Sequence, residues 1–265
     1  MKAKKILKIF GIVILVLALL YLISPSYLQK ALIYTTADID DYKIFPNRTV
    51  EAGQHDPWKK SENYNQKEIS KQNFEVLEKF ETVAFLVIQD SCIVHEKYWD
   101  DYGPNSLSNS FSMAKSIIGL LVGAAMDDGY IDSLDQKVGD FLPEFAEKPN
   151  SQLTIKHLLT MSSGLNWDEH YSHPFSLTTM AYYGQDIEEL TLRLQVVEEP
   201  GVNYKYLSGA TQVLAFVLKE ATDKPIAGYA SEKLWKPLGA KNDALWRLDY
   251  KDGMEKAYCC FNSNA

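Results

Sequence analysis

The chain has 265 residues, of which 46% are hydrophobic, 12% aromatic and 23% charged, which excludes a disordered or collagen-like protein. A formal charge of -8 gives no clustered basic footprint for neutralising phosphate, so no nucleic-acid partner is expected. Three cysteines, Cys92, Cys259 and Cys260, have neither metal-ligand spacing nor the number for a disulfide framework, and the adjacent pair reads as strand packing.

Lys2, Lys4, Lys5 and Lys8 lead into an apolar run over residues 9–23, interrupted only by Gly11. With the Lys8 stem snorkelling, residues 6–23 come close to the roughly 20 needed to cross a bilayer. Residues 1–5 therefore read as a cytoplasmic tail and 6–23 as a transmembrane anchor or signal segment. Length favours the anchor, and the small residues Ser24 and Ser26 leave a cleaved signal peptide as the alternative. The positive-inside rule places the rest on the extracytoplasmic, periplasmic side, with the membrane as a partner through this helix.

Residues 24–66 are polar and aperiodic, with Pro46 and Pro57, and read as a linker into a domain over 67–265. Residues 68–80 carry Ile69, Phe74, Leu77 and Phe80 at helical spacing. Residues 83–88 and 92–99 form two strand-like runs around Gln89-Asp90-Ser91, a hairpin signal without the usual Gly. Residues 112–128 are apolar nearly all round, predicting a buried helix ended by Gly129. A short helix follows over 154–161 with Thr154 as N-cap, and another over 210–221 that stops near Pro225. Strands come first and helices after, without βαβ alternation, which predicts an α+β fold.

The residues with chemical potential centre on Phe111-Ser112-Met113-Ala114-Lys115-Ser116. A Ser three residues before a Lys on one helix shares its face, with Cβ atoms roughly 5–6 Å apart. Free Ser is a weak nucleophile and needs a neighbouring base. An apolar helix and the positive end of its dipole both disfavour an ammonium, which suits the lysine to that task. The same helix start leaves a backbone N–H at Ser112 for an oxyanion. One Ser-x-x-Lys arises by chance in a chain of this length, so further matches are needed.

Two are present: His157-Leu158-Leu159 with Ser163-Gly164-Leu165, and Pro200-Gly201 with Tyr204-Lys205-Tyr206-Leu207-Ser208-Gly209. In this order the three segments resemble the serine hydrolases of the β-lactamase and penicillin-binding-protein superfamily. The resemblance is greatest to the branch with class C β-lactamases, D-alanyl-D-alanine carboxypeptidases, carboxylesterases and 6-aminohexanoate-oligomer hydrolases. It spans residues 82 to the chain end and implies a β-lactamase-like antiparallel sheet with packed helices and a helical subdomain. It also implies Ser112 as acylated nucleophile, Lys115 as its proton acceptor and Tyr206 sharing the base role and protonating the leaving group. Ser208 stands where β-lactamases of the branch have Asn, and Tyr182-Tyr183-Gly184 looks like the esterase and linear-amide side. Ser208 and Tyr183 are therefore the implied substrate-binding residues, and a small-molecule ester or amide the implied substrate.

The resemblance implies no metal and no cofactor. His157 reads as structural, and the loop with Asp168, Glu169, His170 and His173 lacks a metal-ligand pattern. The family's third motif, Lys-Thr-Gly or His-x-Gly, is not found; Lys251-Asp252-Gly253 falls too early and reads as a turn. The chain is accordingly expected to be a C-terminally truncated fragment without the remaining sheet strands. A non-catalytic β-lactamase-like protein that binds an envelope or peptidoglycan component is the alternative function.

Overall fold

A computed structural model describes residues 2–265. Helix α1 (Lys2–Ile23) is apolar on every side beyond Lys8, and α2 (Ser26–Tyr34) follows after a two-residue break at Ser24-Pro25. Strands β1 (Asn47–Val50) and β2 (Lys59–Lys60) precede α3 (Lys71–Lys79) and the hairpin β3 (Ala84–Gln89) and β4 (Cys92–Tyr98). After β5 (Ser108–Asn109) come α4 (Ala114–Asp127), α5 (Ile155–Leu159), α6 (Leu177–Tyr183) and α7 (Ile187–Leu192). The chain continues through α8 (Ser208–Thr222), α9 (Ile226–Ala230), β6 (Ala244–Arg247) and β7 (Phe261–Ser263).

Local chemistry explains most boundaries. Ser70 caps α3 by accepting the Asn73 N–H, and Ser176 caps α6 by accepting Thr179 N–H. Gly129, at φ +78°, closes the C-terminal end of α4 in the left-handed conformation glycine tolerates. Asp90 and Ser91 turn the β3–β4 hairpin with φ +50° and +57°, the geometry of a two-residue turn whose backbone twist matches the strands. The missing glycine there is replaced by two small polar residues.

Two sheets form. Four strands run in the order β1-β6-β7-β5, each pair antiparallel, and β2-β4-β3 forms a separate sheet with β2 parallel to β4. Helix α8 lies at the centre of the helices, against α4, α5, α7 and α9, and every residue from 208 to 218 is buried. The mixture is the expected α+β arrangement.

Two expectations are corrected. Residues 24–66 are not a linker: α2 packs on α6, and β1 joins the main sheet with Asn47 opposite Arg247 and Val50 opposite Ala244. Phe45 and Val50 lie in the core. Their partners include Tyr182 and Tyr183 for Phe45 and Ala244 for Val50, all far along the chain, so no local periodicity announced them. Helix α4 is not enclosed all round either. Ile118, Leu121, Val122 and Ala125 are buried, while Leu120 is 59% exposed on a face shared with Ser116 and Gly123.

Placing residues 45–50 inside the domain predicts a core cost. Phe45→Ala should lower unfolding free energy by about 3–5 kcal/mol in chemical denaturation. Leu238→Ala, on an exposed loop, should stay within about 0.5 kcal/mol of the parent. Equal, small effects at both positions would restore the linker reading.

Candidate active site

Ser112 sits in one 3-10 turn, Phe111–Met113, that feeds directly into α4. Hydrogen bonds fix this turn from the preceding strand. Asn109 N–H donates to Ile39 O at 2.8 Å, and Ser110 N–H donates to Phe261 O at 2.8 Å. The Asn109 side chain accepts Phe111 N–H at 3.1 Å. Phe111 itself has φ +46°, a left-handed backbone that costs a bulky residue about 1–3 kcal/mol and persists only where its surroundings enforce it. The nucleophile candidate thus follows a strained residue held by the main sheet.

Lys115 lies one helical turn on. Its Nζ donates to Ser112 Oγ at 3.1 Å and to the backbone carbonyl of Tyr258 at 2.8 Å. The ammonium is also 4.8 Å from the Tyr206 ring centroid and 5.7 Å from that of Tyr258, within cation–π reach. Ser112 is exposed and Lys115 half-buried. The structure therefore brings Ser112, Lys115 and Tyr206 together, with the phenolic ring of Tyr206 against the ammonium.

Tyr206 reaches this position because the two later motifs are strapped to each other. Gly201 N–H donates to Ser162 O at 2.8 Å, Lys205 N–H to Met161 O at 2.7 Å and Val197 N–H to Gly164 O at 2.9 Å. His157 works below them. Thr154 Oγ1 accepts His157 N–H at 3.4 Å, while His157 Nδ1 accepts Thr154 N–H at 3.3 Å, a reciprocal cap on α5. Burial, with Lys137 and Lys156 nearby, holds this imidazole below its usual titration range.

Ser208 opens α8 and is buried. Its N–H and hydroxyl both donate to the Glu169 carboxylate, at 2.8 and 2.5 Å, and Tyr171 Oη donates to the same group at 2.6 Å. A carboxylate at the start of α8 also complements the helix dipole. The Ser208 hydroxyl is thus committed to Glu169. Gly209 lets the helix start flush on Trp167, since a Cβ there would lie 2.5 Å from the indole ring. Tyr183, on α6, is buried, and its hydroxyl has no hydrogen-bond partner among the described residues.

Two recesses meet at Ser112. One, of about 390 Å³, is bounded by Tyr183, Ser208 and Tyr258; the other, of about 340 Å³, holds Lys115 and Tyr206. Behind the first, two buried cations secure the end of α6. Lys256 Nζ donates to Tyr182 O at 2.8 Å and Gly184 O at 2.9 Å, and Arg247 donates to Tyr182 O as well. Arg247 lies against the rings of Phe45 and Tyr182, and burial pushes the titration of both cations down.

Residues that the sequence did not single out complete the picture. Tyr258 offers a backbone carbonyl, which carries no residue-type signature. Glu169 was visible only as a loop acid. Cys259 and Cys260, expected as simple strand packing, are joined to each other in a disulfide, and Cys259 lines the first recess. Cys260 has φ +72°, so the pair sits at a turn where adjacent side chains meet, rather than in regular strand. Among the described residues no three His, Cys, Asp or Glu side chains converge as a metal site. His173 Nδ1 instead accepts Phe175 N–H.

A family model described as Beta-lactamase matches residues 71–254, well over half of the chain. The chain belongs to the beta-lactamase family. This beta-lactamase-family chain is 29% identical over 184 residues to the 6-aminohexanoate-dimer hydrolase of Paenarthrobacter ureafaciens, covering 65% of this chain and 46% of that protein. A solved structure named "Putative 6-aminohexanoate-dimer hydrolase from Bacillus anthracis" superposes with TM-score 0.68 at 18% identity, over 86% of this chain and 64% of that one. The Beta-lactamase/D-alanine Carboxypeptidase from Yersinia pestis superposes with TM-score 0.54 at 20% identity, over 74% and 66%. These superpositions establish a beta-lactamase-like fold. The chain spans less than half the length of the curated relatives it matches.

The His157 cap gives a pH signature. Its imidazole titrates lower folded than unfolded, so the unfolded chain binds the proton more readily. Stability is full above the usual imidazole value near 6.5 and is lost as pH falls through the folded value. Protonated Nδ1 can no longer accept Thr154 N–H. Between pH 7.5 and 5 the parent Tm should therefore fall more steeply than that of His157→Gln; parallel curves would remove His157 from this account.

Proposed function

We propose that the domain is an extracytoplasmic serine hydrolase that cleaves an ester or amide through an acyl-enzyme. The observation that carries this is the 3.1 Å contact between Lys115 Nζ and Ser112 Oγ, with Tyr206 closing over the ammonium. As a free amine, Lys115 takes the Ser112 proton while Oγ bonds to the substrate carbonyl carbon. The carbonyl becomes an oxyanion, which the first-turn N–H of Ser112 meets. When the bond to the leaving oxygen or nitrogen breaks, that atom takes the proton back from Lys115, relayed by the Tyr206 hydroxyl. Water then adds to the acyl carbon, its proton passing to the same pair, and the acid departs with Ser112 restored.

Ser208 and Tyr183 act as walls of the substrate recess in this scheme, Ser208 by surface rather than by a free hydroxyl. The membrane reading rests on α1. Its 20-residue span, Lys4–Ile23, has no buried residue and extends about 30 Å, the thickness of a bilayer core. With residues 1–5 as the cytoplasmic tail, the positive-inside rule sends the domain to the other side.

Labelling tests the scheme. A fluorophosphonate probe should modify Ser112 in the full-length protein, identified by peptide mass spectrometry. Ser112→Ala should abolish labelling, Lys115→Ala should slow it by about 10³ or more, and Tyr206→Phe by about 10²–10⁴. Labelling that persists in Ser112→Ala overturns the nucleophile. No labelling of the parent, together with no p-nitrophenyl ester hydrolysis, leaves a non-catalytic envelope-binding protein.

A further inference from the structure

The recess of about 390 Å³ beside Ser112 has an unexpected wall. Ala31, Thr35, Thr36 and Ala37, from the end of α2 and the turn after it, line it together with Tyr182 and Tyr183 of α6. Among the described residues no Lys, Arg, Asp, Glu or His side chain lines this space.

The wall is tied down at both ends. At the start, Ser24 Oγ donates to Tyr21 O at 2.7 Å, and Gln29 Nε2 donates to Tyr21 O at 3.1 Å and Ser24 O at 2.9 Å, binding α2 to the end of α1. Tyr27 and Ala31 pack against the core, and a Cβ at Gly184 would already lie 3.6 Å from that of Tyr27. At the far end, Ile39 O holds Asn109 N–H, three residues before Ser112, and Asp41 Oδ2 accepts the Tyr182 hydroxyl at 2.6 Å. The segment between is therefore tied at its far end both to the strand that presents the nucleophile and to α6.

Which part of a substrate enters follows from where the proton donors are. Lys115 and Tyr206 line the other recess, not this one. The leaving atom must lie on their side to be protonated, so the acyl portion extends the other way. Burying a carboxylate or ammonium against Ala, Thr and Tyr, without a paired charge, is costly. A neutral acyl group is not so penalised, and the space matches the usual size of small-molecule pockets.

We propose that residues 31–37 form the acyl-specificity wall of the nucleophile's cleft, and that the cleft takes esters or amides with a neutral, apolar or aromatic acyl group. The inference rests on the serine hydrolase reading above. Its consequence is that the segment joining the apolar helix to the domain selects substrate.

The test uses full-length protein in detergent with p-nitrophenyl acetate, p-nitrophenyl octanoate and the p-nitrophenyl monoester of succinate. Octanoate should exceed both others in kcat/KM. Ala31→Trp and Thr36→Trp, which fill the recess, should each lower the octanoate-to-acetate ratio of kcat/KM by about ten-fold or more. Thr36 is exposed, so its variant keeps the fold even if the Ala31 variant unfolds on heating at lower temperature. An unchanged ratio in a folded Thr36→Trp protein, or succinate turned over as well as octanoate, overturns the acyl wall while leaving the hydrolase intact. If the parent hydrolyses none of the esters and takes no fluorophosphonate at Ser112, the hydrolase reading itself fails and the acyl wall with it.

Discussion

One ammonium ties together the parts of this cleft. Lys115 Nζ reaches Ser112 Oγ in its own helix start, the Tyr258 carbonyl before β7 and the ring of Tyr206 ahead of α8. The dependence runs through a single strand register. Phe261 in β7 accepts Ser110 N–H, while Asn109 and Asn262 are paired across β5 and β7. The strand that holds the serine turn is therefore continuous with the residues that offer Lys115 its carbonyl. A one-residue slip would invert side chains on that strand and displace both partners of the lysine. The left-handed Phe111 is tolerable for the same reason, since the sheet on one side and α4 on the other leave it no alternative.

The far wall of the cleft is stiffened by an unusual use of charge. Arg247 and Lys256 are buried, yet neither forms a close side-chain ion pair among the described residues; both spend hydrogen bonds on the last carbonyls of α6. Cations at a helix C-terminus meet the negative end of its dipole. The favourable field partly offsets the desolvation of two like charges placed near one another. Asp249 lies close enough to Lys256 to help, and its own carboxyl is pushed up by burial. Tyr182 and Tyr183 are thereby presented from a helix whose end cannot fray.

What was legible in the sequence was local. The apolar first helix, the hairpin, the α8 run and the order of three motifs each depend on neighbours within a few residues, and each occurs where the pattern indicated. The Thr154 cap is of this kind, since its partner is three positions away. Residues 24–66 were illegible because their order comes from distance. β1 alternates too briefly to stand out, and its hydrogen-bonding partner is β6. The Tyr258 carbonyl was invisible for a different reason: every residue has one, and only the fold decides which points at a lysine. The commitment of Ser208 to Glu169 likewise needed the two loops in contact. The open face of α4 was missed because composition reports how apolar a helix is, without reporting what covers it.

The bond between Cys259 and Cys260 has a practical side. Disulfides endure in oxidising compartments and are reduced in the cytosol. The recess beside Ser112 is lined by Cys259 of this bond, so it meets a closed sulfur ring rather than two thiols. Reduction by dithiothreitol would leave a buried Cys259 thiol in the wall of the recess that Ser112 also lines. An electrophilic reagent small enough to enter that recess would then meet a rival acceptor in its wall, so handling without reductant keeps the alcohol as the group being interrogated.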